Sequence, residues 1–273
     1  MRLGTAVSFT WRRRPAAGYA VVLLALILVG AIYATVTGSG ESAASTTPTA
    51  SQAEIAKGQL IFNQTCSSCH GLQAVGTAVA PSLIGVGSAA VDFQVSTGRM
   101  PAVGPDAENG RKPVRLSPAE TRAVAAYIES LAGGPAIPTP AEVSTSGANL
   151  ALGQQLFTAD CAQCHNFDGA GGALTYGKYA PSLTASTPTQ MYEAMLTGPE
   201  AMPVFNNTTI PPDEKRDVIA YVTGTRDTPN PGGFSLGRVG PITEGLFAFL
   251  GLLFFMVLAA MWITAKHRKT ADE

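Results

Sequence analysis

Apolar residues in this 273-residue chain form two long unbroken runs, with two sets of helix-spaced stripes between them. Residues 17–37 and 245–265 each run 21 positions without a charged side chain. At ~1.5 Å of rise per residue, a helix of that length covers roughly 30 Å, the depth of a bilayer's hydrocarbon core. Between the runs the pattern changes to the 3.6-residue period. Ile55, Phe62 and Cys66 stand at i, i+7 and i+11, and Leu150, Phe157 and Cys161 repeat that spacing. Ser117-Pro118-Ala119-Glu120 is a capping box with proline in the first turn, and it predicts a helix through Leu131. Pro211-Pro212-Asp213-Glu214 predicts an equivalent helix ending near Thr223-Gly224. Alternating strand patterns are nearly absent, so the fold class is mainly α.

The region between the apolar runs is a duplication. Gly58 and Phe62 precede Cys66-Ser67-Ser68-Cys69-His70, and Gly153 and Phe157 precede Cys161-Ala162-Gln163-Cys164-His165, offset by 95 residues. Ala80-Pro81-Ser82-Leu83 recurs as Ala180-Pro181-Ser182-Leu183, offset by 100. Thr97-Gly98 with Met100-Pro101 recurs as Thr197-Gly198 with Met202-Pro203, and Ala126-Tyr127-Ile128 as Ala220-Tyr221-Val222. Five landmarks in one order make a tandem domain repeat the economical reading. Gly/Ser/Pro-rich breaks then predict the organisation: a basic N-terminus at 1–16, an apolar span at 17–37, a linker at 38–51, a first domain at 52–134, and a linker at 135–148. A second domain at 149–230, a linker at 231–242, a second span at 243–265 and a tail at 266–273 complete it. Domains of about 80 residues are small for self-sufficient cores, so a covalent or metal staple is expected in each.

Charge changes the picture in two ways. The net charge of −1 gives no reason to expect nucleic acid as a partner. Its distribution orients the chain. Arg12, Arg13 and Arg14 precede the first run, and Lys266, Arg268 and Lys269 follow the second, while residues 38–244 hold 11 basic against 17 acidic groups. Basic flanks stay in the cytoplasm, so both ends are expected inside and the repeats outside, a multi-pass arrangement in the cell membrane. For the first run a secretory signal remains an alternative, because a basic start followed by an apolar stretch and small residues fits both.

The chemistry sits in Cys66, Cys69 and His70, and again in Cys161, Cys164 and His165, which use all four cysteines and two of the three histidines. Cysteines at i and i+3 of a helical turn can reach both vinyl groups of one porphyrin, and the histidine that follows can bind its iron. This is the c-type haem attachment signature. A disulfide within each pair would not require the adjacent histidines. Zinc wants four ligands where each half offers three, and a thioredoxin-like pair wants a βαβ context that is missing. An iron that only carries electrons fills both axial positions. Met100 and Met202, each a short step after Thr-Gly, are the candidate sixth ligands, against the usual role of methionine as core filler. Met191 and Met195 read as core, and His267 as a solvated residue of the basic flank. Gly58/Phe62 with Tyr127, and Gly153/Phe157 with Tyr221, are expected to bring the terminal helices of each domain close together. The Pro81 and Pro181 carbonyls are candidates to orient the histidine rings. Arg111, Lys112 and Arg115 form a basic knot in a loop of the first half, either a docking face or ordinary solvated surface.

On these motifs the two domains resemble class I cytochrome c folds. Over nearly its full length the chain is similar to the dihaem cytochrome c subunit of the actinobacterial menaquinol:cytochrome c reductase, the cytochrome bcc complex. The resemblance implies two covalent c-type haems, bonded through Cys66 and Cys69 and through Cys161 and Cys164. Their irons would be held by His70 with Met100 and by His165 with Met202. It also implies a translocase subunit of the respiratory chain that moves electrons and has no bond-making site of its own. The partners it implies are a cytochrome b subunit, a Rieske iron–sulfur subunit, an aa3-type cytochrome c oxidase and the lipid bilayer. The dihaem subunit of a cbb3-type oxidase is an alternative, though its resemblance is to an N-terminally anchored chain. A haem-based sensor or peroxidase would need an open iron position, and a disulfide-stapled envelope protein would carry no haem.

Overall fold

In the computed structural model the described residues are 15–37, 50–104, 108–228, 236–238 and 240–271, with the side chains of 15–17, 33–37, 227 and 266–271 undescribed. Most of the basic N-terminus and the 38–51 linker, part of the 231–242 linker, and the His267 and basic-tail side chains therefore lie outside them. Helix α1 spans Pro15–Thr37 and belongs to a unit of its own, Met1–Thr47.

The first repeat opens with α2 (Gln52–Thr65), N-capped by Ser51, whose hydroxyl accepts the Glu54 amide at 3.2 Å. One turn, α3 (Ser67–His70), follows; then come α4 (Gly87–Ser96) and α5 (Pro118–Ala132). The expected capping box is present at α5: Ser117 accepts the Glu120 amide, and the Glu120 carboxylate accepts the Ser117 amide at 2.8 Å. The second repeat runs α6 (Leu150–Leu156), α7 (Ala162–His165), α8 (Pro188–Thr197) and α9 (Pro212–Asp227). A further box, Thr187 with Gln190, opens α8.

Each core forms where the first and last helices of its repeat cross. α2 packs on α5, and a Cβ on Gly58 would fall on the Ala123 carbonyl, so only glycine permits that approach. Phe62 then meets Tyr127 with ring centroids 5.4 Å apart, and Phe157 meets Tyr221 at the same 5.4 Å where α6 packs on α9. Such tilted pairs contribute about 0.5–1.5 kcal/mol beyond their area burial. Val91, Val124 and Ile128 complete the first core, and Met191, Met195, Tyr192 and Ile219 the second. The two methionines expected in the core are buried there. α4 and α8 pack on each other and join the repeats.

Three features depart from the sequence reading. The stripe through Phe157 and Cys161 is no continuous α-helix, because residues Phe157–Cys161 form a π turn, a one-residue widening that often marks a functional site. The offset between landmarks rises from 95 to 100 because five extra residues enter the second repeat. There Gly172–Ala173 (β1) pairs antiparallel with Tyr179–Ala180 (β2). Finally, α9 continues past Gly224 to Asp227, since Arg238 donates to the Arg226 carbonyl at 3.2 Å and to the Thr228 carbonyl at 2.7 Å, satisfying groups that water would otherwise take. Beyond Arg238, α10 (Pro241–Ala271) contains the 25-residue stretch Pro241–Ala265 with mean hydropathy 2.6, long and apolar enough to cross a membrane.

Candidate haem sites

The first signature turn closes an α-helix, and the second follows the π turn, where the Ala162 amide donates to the Phe157 carbonyl. The Cys66 amide closes α2 by donating to the Phe62 carbonyl at 2.8 Å, and the Cys69 and His70 amides donate back to the Cys66 carbonyl at 3.2 and 3.0 Å. This single tight turn carries both cysteines of the pair. No disulfide joins any of the four cysteines. Burial pushes the Cys66 thiol up; burial, then Asp160 and Cys164, push Cys161 up to about 12. Among the described residues no cluster of three or more His, Cys, Asp or Glu could hold a bare metal ion.

Both histidines are clamped by a proline carbonyl. His70 Nδ1 lies 2.9 Å from the Pro81 carbonyl oxygen, and His165 Nδ1 lies 2.9 Å from that of Pro181. A carbonyl only accepts, so Nδ1 carries the hydrogen and Nε2 keeps its lone pair, the tautomer an iron requires. Burial lowers the His165 pKa, which also favours the neutral ring. The clamp depends on tight loops. The Gly76 amide donates to the His70 carbonyl at 2.9 Å and the Gly171 amide to the His165 carbonyl at 3.0 Å. Both glycines have positive φ, +87° and +82°, and a Cβ on either would meet the proline–serine backbone behind the clamp.

In the second repeat these side chains face one deep cleft of about 1290 Å³, including the part open to solvent. Cys161, Cys164, His165 and Met202 all line it, with Leu183 and Ile219 among its apolar walls. Met202 arrives there because Gly198 ends α8 in the left-handed conformation, and the Phe205 amide returns to the Met195 carbonyl at 2.7 Å. In the first repeat, Met100 sits half-buried after Gly98, with its amide on the Gln94 carbonyl at 3.0 Å. Its pairing with His70 rests on the repeat. Leu72, Val75, Val79 and Ile84 stand exposed in the loops next to His70, apolar surface of the kind a flat apolar ligand covers. The donor set, the fixed tautomer and the apolar walls fit a haem in each repeat.

Sequence reasoning missed one part of the second site. Phe93, Arg99, Asn109 and Arg111 of the first repeat also line the second cleft. Arg111 Nη2 donates to Gln190 Oε1 at 2.8 Å and to the Ser186 hydroxyl at 3.2 Å, so this part of the basic knot, though exposed, is tied to the second repeat. Nothing in the local sequence of a loop reports which neighbouring domain it will cover.

Comparison with known proteins agrees with this construction. A family model described as cytochrome c matches residues 55–132, and one described as cytochrome c oxidase, cbb3-type, subunit III matches residues 148–222. The chain is similar to the cytochrome bc1 complex cytochrome c subunit of Corynebacterium diphtheriae, 42% identical over 93% of this chain and 95% of the relative. It is similar to the protein of the same name in Mycobacterium tuberculosis, 40% identical over 93% and 92%. A cbb3-type cytochrome c oxidase subunit, FixP, of a Bradyrhizobium species is 32% identical over only 47% of this chain and 44% of its own. Two cytochrome c domains carry two covalent c-type haems. With similarity that runs through both repeats, the chain belongs to the family of cytochrome bc1 complex cytochrome c subunits.

Proposed function

We infer that this chain is the membrane-anchored dihaem electron carrier of a quinol:cytochrome c reductase, working in its translocase complex without a bond-making site of its own. The observation that carries the reading is the duplicated Cys-x-x-Cys-His turn, with each histidine held 2.9 Å from a proline carbonyl. Cys66 and Cys69, and Cys161 and Cys164, would form the thioethers, with His70 and Met100 and then His165 and Met202 as axial ligands. When bound, each haem supplies a one-electron iron couple. The chain's own residues fix the histidine tautomer, exclude water with apolar walls, and hold the two sites on one polypeptide. Tethering replaces diffusion of a free carrier by a high local concentration.

In this reading α1 and α10 are both spans, with both termini in the cytoplasm and the two domains at 52–134 and 149–230 outside. The electron donor is a Rieske subunit beside a cytochrome b subunit, and the acceptor is an aa3-type oxidase. Support comes from the 25 apolar residues of α10 and the family shared with bc1 complex subunits. The test is purification from membranes through a tag on this chain. Co-isolation of cytochrome b and Rieske subunits, with both haems reduced by added menaquinol, is expected; co-isolation of a cbb3-type oxidase instead would overturn it. The match of residues 148–222 to a cbb3-type subunit model is what makes that outcome worth separating.

A further inference from the structure

The second cleft is enclosed from two sides, and the two sides differ in charge. The second repeat, residues 149–230, holds 4 basic against 8 acidic groups. Of the side chains it places on the described cleft wall, none is a lysine or arginine, while Asp160 and Glu200 are acids. The two cationic side chains on the wall, Arg99 and Arg111, both come from the first repeat, whose one acid there, Glu108, is engaged by the Tyr179 amide at 2.9 Å. Arg99 is only 6% exposed, its guanidinium lies 4.8 Å from the centre of the Phe93 ring, and among the described residues its Nη1 has no hydrogen-bond partner. Among the described residues it makes no ion pair. Burying a guanidinium with an open donor is costly unless an anion meets it. Burial, followed by the nearby Arg111, lowers the Arg99 pKa, and the Glu200 carboxylate on the same wall offsets only part of this.

A haem is the ligand this cleft fits, and beyond its iron and its apolar ring it carries two propionate carboxylates. These anions need charge-assisted donors in a cleft whose other walls are mostly apolar or acidic. We propose that Arg99 and Arg111 of the first repeat bind the propionates of the haem held by the second repeat, so that the first domain completes the second domain's cofactor site. The proposal rests on the dihaem reading above. It also gives the contact between α4 and α8 a role: through Gln190, which donates to the Ser96 hydroxyl at 3.2 Å and accepts from Arg111, the seam holds the clamp in register.

The test uses the full chain in its membrane complex, with Arg99→Gln, Arg111→Gln and Arg99→Lys. Haem per chain is counted first. A wild-type chain without two covalent haems overturns the underlying reading and the clamp with it. With two haems present, redox titration followed in the haem absorption bands is combined with resonance Raman of the propionate bending modes. Removing a cation beside the iron favours the ferric state. Both glutamine variants should therefore lower the potential of one haem, the one that also responds to Met202→Ala, and shift its propionate mode. Arg99→Lys should restore part of each shift. Should Arg99→Gln fail to fold, the exposed Arg111 position carries the same test. Two bound haems with unmoved potentials and unmoved propionate modes would overturn the clamp.

Discussion

Arg238 Nε lies 3.0 Å from Asp168 Oδ2, and the same guanidinium donates to two carbonyls at the end of α9. One side chain thus ties the segment leading into α10 to the loop beside His165 and to the last helix of the second domain. The two side chains are 28% and 14% exposed, so the ion pair alone contributes little, up to about 1 kcal/mol, and the carbonyl caps add about as much again. Arg238→Ala should lower the melting temperature of the second domain modestly. It should also speed amide hydrogen exchange in the last turn of α9, leaving α2 and α5 unchanged. Equal exchange in both domains would show that the stalk is held some other way.

The helix crossings make a sharper prediction. A Cβ on Gly58 would overlap the Ala123 carbonyl, and one on Gly153 the Asp217 carbonyl, both fixed backbone. Gly58→Ala and Gly153→Ala should each part their helices, costing about 3 kcal/mol or more and lowering the haem content of the affected domain. Gly224 is the control. It lies in α9 with nothing within 4 Å of a built Cβ, so Gly224→Ala should stabilise by about 0.5–1 kcal/mol. Thermal melts with haem per chain read both signs.

Much of this was legible in the chain because the informative residues are local. A signature turn needs Cys, Cys and His within five positions, and a capping box needs its partners three apart, so spacing carries the geometry. The glycine–aromatic crossings were legible for another reason: Gly58 with Tyr127 and Gly153 with Tyr221 recur, and duplication turns coincidence into pattern. What stayed hidden depends on long-range packing. Arg99 and Gln190 meet one cleft only because α4 lies against α8, and the end of α9 is set by Arg238 from outside the helix. The π turn at Phe157–Cys161 has no composition of its own that would announce it.

Axial ligation is tested by potential. Met202 lines the cleft with His165, and Met100 occupies the matching place in the repeat. A thioether opposite histidine raises an iron's potential, so Met202→Ala and Met100→Ala should each lower the potential of one haem and open that iron to carbon monoxide. The wild-type reduced protein should show no spectral change with carbon monoxide. Binding in the wild type would mean an open iron position, and unmoved potentials in the variants would reassign the ligand.

Glu193 predicts a pH dependence at the seam between the domains. It is fully buried on α8, and neither carboxyl oxygen has a hydrogen-bond partner of good geometry. Burial first, and then the charge of Asp92 on α4, push its pKa up to about 10. Burial raises the Asp92 carboxyl too, with Glu193 beside it and then Arg122 on α5 pulling it back. A carboxyl whose folded pKa lies above its unfolded value keeps a proton that the unfolded chain releases. Its stability contribution is therefore complete below the ordinary carboxylate range and is lost steadily as pH climbs toward the folded value. Glutamine cannot ionise. Glu193→Gln should match the wild type at about pH 5 and melt higher than it at about pH 8, flattening the curve between. Parallel curves for the two proteins would place the pH dependence on other groups and leave Glu193 a silent buried acid.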